Sequence, residues 1–330
     1  MSVKEQILRI FENDRESYYS GEQLAAKLGV SRSAVWKAVR QLQDDGYRFN
    51  AVSGRGYALC AESDVISSEG IRKYLGAKSE GLAIRTYKTI SSTNTVLKEM
   101  AAEGAPEGTV LVSAEQTAGR GRMSRRFHSP GGTGLYLSIL LRPGMNMREA
   151  LFITTAAAVA VARTVEEVSG RKAGIKWVND VFMDGKKICG ILTEASFDME
   201  SRRLDYAVCG IGVNICPPKG GFPDEIRETA GAVFAEHPES DVKNRIAAGI
   251  IGKFMDYYRR FPEHAFFDEY VKRSVIIGEK ITVIGKGEPR EATALAIDPN
   301  CNLVVRYSNG AEEALYSGEV SIRKKQGISN

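Results

Sequence analysis

The sequence predicts an α+β multidomain protein. An N-terminal winged helix-turn-helix comes first, then a central mixed α/β domain, then a small all-β barrel or sandwich. Three observations carry this. Residues 1–62 hold three helical patterns followed by two short β-type runs around SGRG. The middle mixes long helical stretches with apolar strand-like runs. Residues 272–325 hold only short runs (KITVI, TALAI, LVVRY, EALYS) broken by GKGEP, DPNCN and SNGAE. At 330 residues the chain is too long for one ordinary core. The expected division is 1–62, a linker at 63–80, 81–270 and 271–330.

Val3, Ile7, Ile10 and Phe11 recur at helical spacing, predicting a helix over 3–13. Ser20 with Gln23 reads as a capping box that opens a second helix, stopped at Gly29. Ser31 caps a third, SRSAVWKAVRQLQDDG, closed by Gly46. Val35, Val39 and Leu42 share its inner face, with Arg32, Ser33, Trp36, Lys37 and Arg40 on or near the outer one. YRFNAV-SGRG-YAL then reads as a hairpin wing with Arg55 at its tip. Order of elements argues for DNA binding more strongly than charge does. Net charge is only +4, so any nucleic-acid contact must be local. Ser31–Tyr57 carries five basic against two acidic residues, which suits a few phosphate contacts.

Past the polar segment 61–80, read as linker plus a short helix, strand-like runs lie at 109–114, 134–142, 175–183, 188–197 and 204–215. Helical runs lie at 147–168 and 239–261, predicting one sheet covered by helices. DGK at 184–186 is a hairpin turn signal. No stretch is apolar enough to span a membrane, and the acid-containing N-terminus is not a signal peptide. Five scattered cysteines (Cys60, Cys189, Cys209, Cys216, Cys301), without CxxC, read as reduced, buried thiols of a cytoplasmic protein.

Several sites are absent. There is no GxxxxGK[ST] and no HExxH, GIGVNI lacks GxGxxG spacing, and His128, His237 and His264 lie far apart. What stands out is AGRGRMSRRFHSP at 118–130. It holds Arg120, Arg122, Arg125 and Arg126 between two apolar strands. Its glycines let backbone approach a ligand, and its guanidinium forks match phosphate or carboxylate oxygens. SSTN (91–94) opens a helix with four hydrogen-bonding side chains. KWVNDVFMDGKKICGIL (176–192) puts Lys176, Asn179, Asp180 and Lys187 on paired strands and their turn.

The order SSTN, EQTAGRGRxxRxF-SP, KWVNDV-DGKKICGIL and GIGVN resembles the biotin–protein ligase family. With the helix-turn-helix ahead, the chain resembles its bifunctional bacterial form, the biotin operon repressors. The likeness covers essentially the whole chain, and the motifs are specific in combination. It implies a class II synthetase-like central domain and an SH3-like C-terminal barrel. It also implies ATP-dependent formation of biotinyl-5'-AMP, with Mg²⁺. Biotin then passes to a lysine of the biotin carboxyl carrier domain of acetyl-CoA carboxylase or another biotin-dependent carboxylase.

By this resemblance Arg120 and Arg122 lie over the biotin carboxylate and the phosphates, and Lys187 contacts the carboxylate and the developing adenylate. These three are the implied catalytic residues. Ser92, Thr93, Asn94, Gln116, Gly121, Gly210 and Gly212 complete the biotin site. Arg125, Lys176, Asn179 and Asn214 join Arg122 around ATP, with Asp180 at Mg²⁺. Ser31, Arg32, Ser33, Trp36, Lys37, Arg40 and Arg55 would face operator DNA of biotin genes. A homodimer promoted by the adenylate would read a two-fold operator. Met123 and Ser124 in the loop and Val178 in KWVND depart from the family pattern. The residue covering adenine has no match after GVNICPP. Two alternatives stand beside this reading: a non-catalytic biotin-sensing repressor, against which Lys187 and the complete GRGR loop weigh, and a lipoate-type ligase, which would want an apolar tunnel instead of the polar SSTN cup.

Overall fold

A computed structural model describes residues 1–146, 149–200, 202–238, 241–284 and 288–322. Helix α1 (Val3–Asn13) starts on a Ser2–Glu5 capping box and α2 (Gly21–Leu28) on a Ser20–Gln23 one. Each box satisfies backbone donors that a helix start otherwise leaves open. Helix α2 ends at Gly29 with φ 66°, a left-handed conformation that glycine adopts at no steric cost. Helix α3 (Arg32–Asp44) buries Val35, Ala38, Val39 and Leu42 against Ile7, Phe11 and Leu24. Strands β1 (Phe49–Val52) and β2 (Gly56–Leu59) form the wing. Gly56 is required there, because a Cβ would lie 2.2 Å from the carbonyl oxygen of Tyr19, which bridges to Tyr57.

The segment read as a linker holds helix α4 (Ser68–Leu75), whose Ile71 and Leu75 enter the central core. Strand β3 (Ala83–Tyr87) follows, then α5 (Thr93–Ala102), β4 (Thr109–Ser113), β5 (Gly134–Leu141) and α6 (Ala150–Ser169). Next come β6 (Gly174–Lys176), β7 (Asp180–Met183), β8 (Lys186–Asp198) and β9 (Arg203–Asn214). Helices α7 (Val242–Arg259) and α8 (Phe267–Lys272) close the region. The helical runs expected from 147 and 239 begin on residues outside those described. The sheet order is β3-β4-β5-β9-β8-β7-β6, with β3 and β4 parallel and the other pairs antiparallel.

Two sequence expectations change here. The run at 175–183 is not one strand. It is β6 and β7 folded on each other around Trp177–Asn179, with Lys176 opposite Asp180. Strand β3 lies in no apolar run, because its residues AIRTY alternate at the sheet edge with only Ile84 of the strand buried.

The two faces of the sheet differ. Cys209, Ile211 and Val213 of β9 point into the core under α6 and α7. Val208 packs under α5, and the next two positions on that face are Gly210 and Gly212. Gly190 pairs with Gly212, and Ser138 and Leu192 flank Gly210. Period-two alternation thus leaves a floor with almost no side chains beyond the start of α5.

The C-terminal strands β10 (Lys280–Ile284), β11 (Arg290–Ile297), β12 (Leu303–Tyr307), β13 (Glu312–Leu315) and β14 (Glu319–Ile322) form one antiparallel sheet, ordered β13-β12-β11-β10-β14. The expected domain end, 323–330, lies outside the described residues. Among the described residues no helix is long and apolar enough to cross a membrane.

Candidate active site

A cavity of about 710 Å³ opens over the bare floor. Ligand pockets span roughly 300–1,000 Å³, so it holds a substrate of drug size or more. Every candidate ligase residue of the sequence reading lines it: Ser92, Thr93, Asn94, Gln116, Arg120, Gly121, Arg122, Arg125, Lys176, Asn179, Asp180, Lys187, Gly210, Gly212 and Asn214.

The polar end is built on the first turn of α5. Ser92 is the N-cap, its hydroxyl accepting from the Thr95 amide. The Thr93 amide and hydroxyl both donate to Gln116 Oε1, at 2.9 and 3.2 Å, and Gln116 Nε2 donates to Ser129 Oγ at 3.1 Å. The buried Ser138 hydroxyl lies 2.7 Å from Thr93 Oγ1 and 2.6 Å from Asn94 Oδ1. Asn94 Nδ2 donates to the Leu192 carbonyl and to Glu194. Asn94 and Gln116 are therefore committed within the wall, and a network this fully satisfied is rigid. Gly210 makes it possible: a Cβ there would lie 2.0 Å from Asn94 Oδ1.

The loop at 118–130 is folded back on itself. The Gly121 amide donates to the Arg125 carbonyl and the Phe127 amide to the Gly119 carbonyl. At its tip Met123 and Ser124 both take positive φ. Phe127 presses on the floor, where a Cβ at Gly212 would come within 2.5 Å of its ring. Arg120 Nη1 stands 3.3 Å from Glu194 Oε1. Arg122 donates to Asn179 Oδ1 and to the Gly318 carbonyl, both at 3.0 Å. It thereby joins the loop, the β6–β7 turn and the C-terminal sheet, and both of these acceptors are neutral.

The β6–β7 turn is pinned from behind. Trp177 Nε1 donates to the Cys301 carbonyl and the Tyr270 hydroxyl to the Val178 carbonyl. Asn179 exchanges two bonds with Ile191 of β8. Asp184–Gly185, both at positive φ, make the tight turn into β8 that DGK signalled. Lys187 then reaches along β8 over Gly190 and places its Nζ 2.7 Å from Asp180 Oδ1. Its amide and carbonyl pair with Thr229 and Gly231, and Asn214 Nδ2 donates to Gly231. These bonds hold a covering segment whose Phe222, Ile226 and Glu228 also face the cavity.

Sequence reasoning missed Ser138, Ser129, Phe127, Phe222 and Glu194. Two signals were available: a lone serine inside the apolar run GLYLSILL, and an acid inside ICGILTEASF. Burial lifts the Glu194 carboxyl, but hydrogen bonds from Lys98 and Asn94 and the charges of Lys98 and Arg120 hold it below its usual range. Among the described residues no group of three or more His, Cys, Asp or Glu could by itself hold a metal.

At the other end of the chain, Ser31, Arg32, Ser33, Trp36, Lys37 and Arg40 are all exposed on α3 and the turn before it, and Arg55 on the wing. Ser31 also serves as the N-cap of α3. The Arg40 guanidinium sits 5.5 Å over Trp36, which is 54% exposed, and that of Arg55 4.5 Å over Tyr18.

Comparison with known proteins bears on both ends. Residues 86–214 match the biotin/lipoate A/B protein ligase family, 3–58 an HTH domain and 276–323 the biotin protein ligase C terminal domain. The chain is 35% identical to the bifunctional ligase/repressor BirA of Bacillus spizizenii and 32% to that of Bacillus subtilis. Each likeness covers 97% of this chain and 99% of the relative. The chain belongs to the bifunctional biotin ligase/repressor family. Its enzyme and its DNA-binding domain therefore share one polypeptide. A biotin protein ligase from Aquifex aeolicus, solved in complex with biotin and ATP, has the same fold over 73% of this chain and 99% of that one. Its TM-score is 0.61 and its identity 26%. In family terms the cavity lies in the ligase region and the exposed α3 face in the HTH region.

Proposed function

We propose that the cavity binds biotin and ATP together and forms biotinyl-5'-AMP, which then gives biotin to a lysine of a biotin carboxyl carrier domain. One observation carries this: a satisfied polar cup (Ser92, Thr93, Gln116) and a cationic wall (Arg120, Arg122, Lys187) face one cavity. The biotin carboxylate, ionised at neutral pH, attacks the α-phosphorus. The O–P bond forms as pyrophosphate leaves, so no base is needed. What is needed is alignment and positive charge where two anions meet. Lys187 and Arg122 supply the charge, and Arg125 and Lys176 line the phosphate side. In the second step the acceptor amine attacks the carbonyl carbon, AMP leaves, and the new amide sheds a proton to solvent.

The cup's donors and acceptors suit the ureido edge of biotin, with Gly210 and Gly212 giving the ring a flat floor. Phe222, after GVNICPP, takes the role of covering the base, with Asn214 beneath. Asp180 suits Mg²⁺: it lines the cavity beside Lys187, whose Nζ lies 2.7 Å from its buried Oδ1, and Mg²⁺ needs only one or two carboxylates beside substrate phosphates. The ion would offset phosphate charge. The exposed α3 face and wing would read an operator half-site of biotin genes. A homodimer promoted by the adenylate, acting as corepressor, would read both halves. The working division is 1–62 for DNA, 63–80 as the connector, 81–270 for catalysis and 271–330 as the C-terminal unit.

The test is acceptor biotinylation. Purified protein with Mg-ATP, labelled biotin and a carrier domain should label the acceptor, with lipoate giving none and Lys187→Ala lowering the rate about 10²–10³-fold. Tight biotin binding without transfer would leave a biotin-sensing repressor.

A further inference from the structure

Glu194 does not line the cavity, yet three elements meet on its carboxylate. Its Oε2 accepts from Asn94 of α5 at 3.0 Å. Its Oε1 accepts from Lys98, one helical turn on, at 2.9 Å, and lies 3.3 Å from Arg120 in the arginine loop. Glu194 itself sits on β8, on the cavity side of the strand that also carries Lys187. The carboxylate side chain is only 17% exposed, against 50% for Arg120.

One cation would suffice to offset a single carboxylate. Lys98 does so from outside the cavity. Arg120 is a second cation, brought in from a loop that otherwise folds on its own backbone. The same carboxylate orients Asn94, whose Oδ1 meets Ser138 and whose position presses on bare Gly210. A chain of bonds therefore runs from Ser129 through Gln116, Thr93, Ser138, Asn94 and Glu194 to Arg120. It connects the cup to the loop behind the cavity wall.

We propose that Glu194 is a positioning residue for adenylate formation: it fixes Arg120 and Asn94 together, so that the cup and the arginine loop engage the same biotin molecule. The proposal rests on the ligase reading of this cavity. A neutral side chain at 194 would still accept from Asn94 but would no longer hold Arg120. The loop would sample open positions, and biotin would lose simultaneous contact with both ends of the site.

The experiment compares wild type, Glu194→Gln, Glu194→Asp and Lys98→Met in the full-length chain. It measures the KM for biotin and the kcat of pyrophosphate release. It also measures the rate of tryptic cleavage within 118–130, a readout that needs no catalysis. Wild-type pyrophosphate release tests the ligase reading on its own. Glu194→Gln should raise the biotin KM at least tenfold and speed loop cleavage severalfold. Glu194→Asp should recover part of both, and Lys98→Met should leave both within about twofold. A Glu194→Gln protein with unchanged KM and cleavage, its kcat falling only with the folded fraction, overturns the proposal. So does a Lys98→Met protein that reproduces both changes, since the helix–strand ion pair alone would then account for them. If Glu194→Gln does not fold, Glu194→Asp decides. Its shorter reach should still raise KM and cleavage together, and wild-type values for both would overturn the proposal.

Discussion

Arginine does opposite things at two places in this molecule. At the junction of the DNA-binding region and the central core, the Arg15 side chain is only 9% exposed. It bonds Glu12 at 2.8 Å and Asp241 at 2.9 Å, and donates to the Ala61 and Ser63 carbonyls. Lys243 with Asp64, and Asn244 with Ser67 and Val65, extend the same seam. In the cavity, Arg120 is half-exposed on one carboxylate, and Arg122 bonds to an amide oxygen and a backbone carbonyl. A guanidinium whose charge is met by buried carboxylates is mortar between domains. One whose charge is held in place by neutral groups is available to an incoming anion. Placement and neutralisation decide which, not residue type.

The contrast breaks most sharply at Arg15. Arg15→Met leaves two buried carboxylates without their cation, which should cost about 3–5 kcal/mol. Urea unfolding measures the loss, and adenylation per folded molecule should stay near wild type. An unchanged midpoint would show that the seam does not hold the domains. Arg122→Met should do the reverse. It should lower kcat/KM for adenylate formation by about 10²–10³-fold, while the unfolding free energy falls by no more than about 1–2 kcal/mol for the two lost hydrogen bonds, less than at Arg15. Loss of stability comparable to that of Arg15→Met would erase the distinction.

Gly210→Ala tests the floor between them. Its Cβ would fall 2.0 Å from Asn94 Oδ1, and overpacking of this kind costs about 1–3 kcal/mol. The biotin KM should rise roughly tenfold, the equivalent of about 1.4 kcal/mol, with little change in the KM for ATP. Isothermal titration with biotin reads the same effect directly.

The gentlest test is pH. One guanidinium serves two buried carboxylates at the seam, and burial, only partly offset by Arg15, pushes Glu12 up to about 7 from 4.5. Asp241 is raised by the same burial. The folded state therefore binds protons that the unfolded chain releases between about 4.5 and 7. Stability should rise as pH falls through that window and be lost again as pH climbs to about 7. Glu12→Gln should flatten this slope in urea titrations at several pH values. An unaltered slope would assign it to other groups, Asp64 and Asp241 among them.

Much of the architecture was legible because its signals are local. Ser20 and Ser31 cap helices within four residues of themselves, and Gly29 and Asp184–Gly185 set turns by φ alone. The candidate residues were legible as types, since arginines and glycines cannot fill a core. Their partners were not. Nothing near Arg120 in sequence points to Glu194, and nothing near Arg122 points to Gly318. The break at Trp177–Asn179 escaped because its cause, Cys301 and Tyr270 pulling on the turn from the C-terminal side, lies about a hundred residues away.

The sequence by itself determined the order of the three regions, the capped N-terminal helices, the Asp184–Gly185 turn and the kinds of side chain at the site, because periodicity, capping and backbone freedom act over a few residues. The tertiary structure alone decided which partner each cation meets, and that Arg120, Arg122 and Lys187 face one cavity while Arg15 is held in the seam. It also decided that the segment around α4 is packed and not free, and that the floor under α5 is bare. Those outcomes depend on burial and on the register of strands β5, β8 and β9, where a shift of one residue would exchange Gly210 and Gly212 for Cys209, Ile211 and Val213 and fill the site.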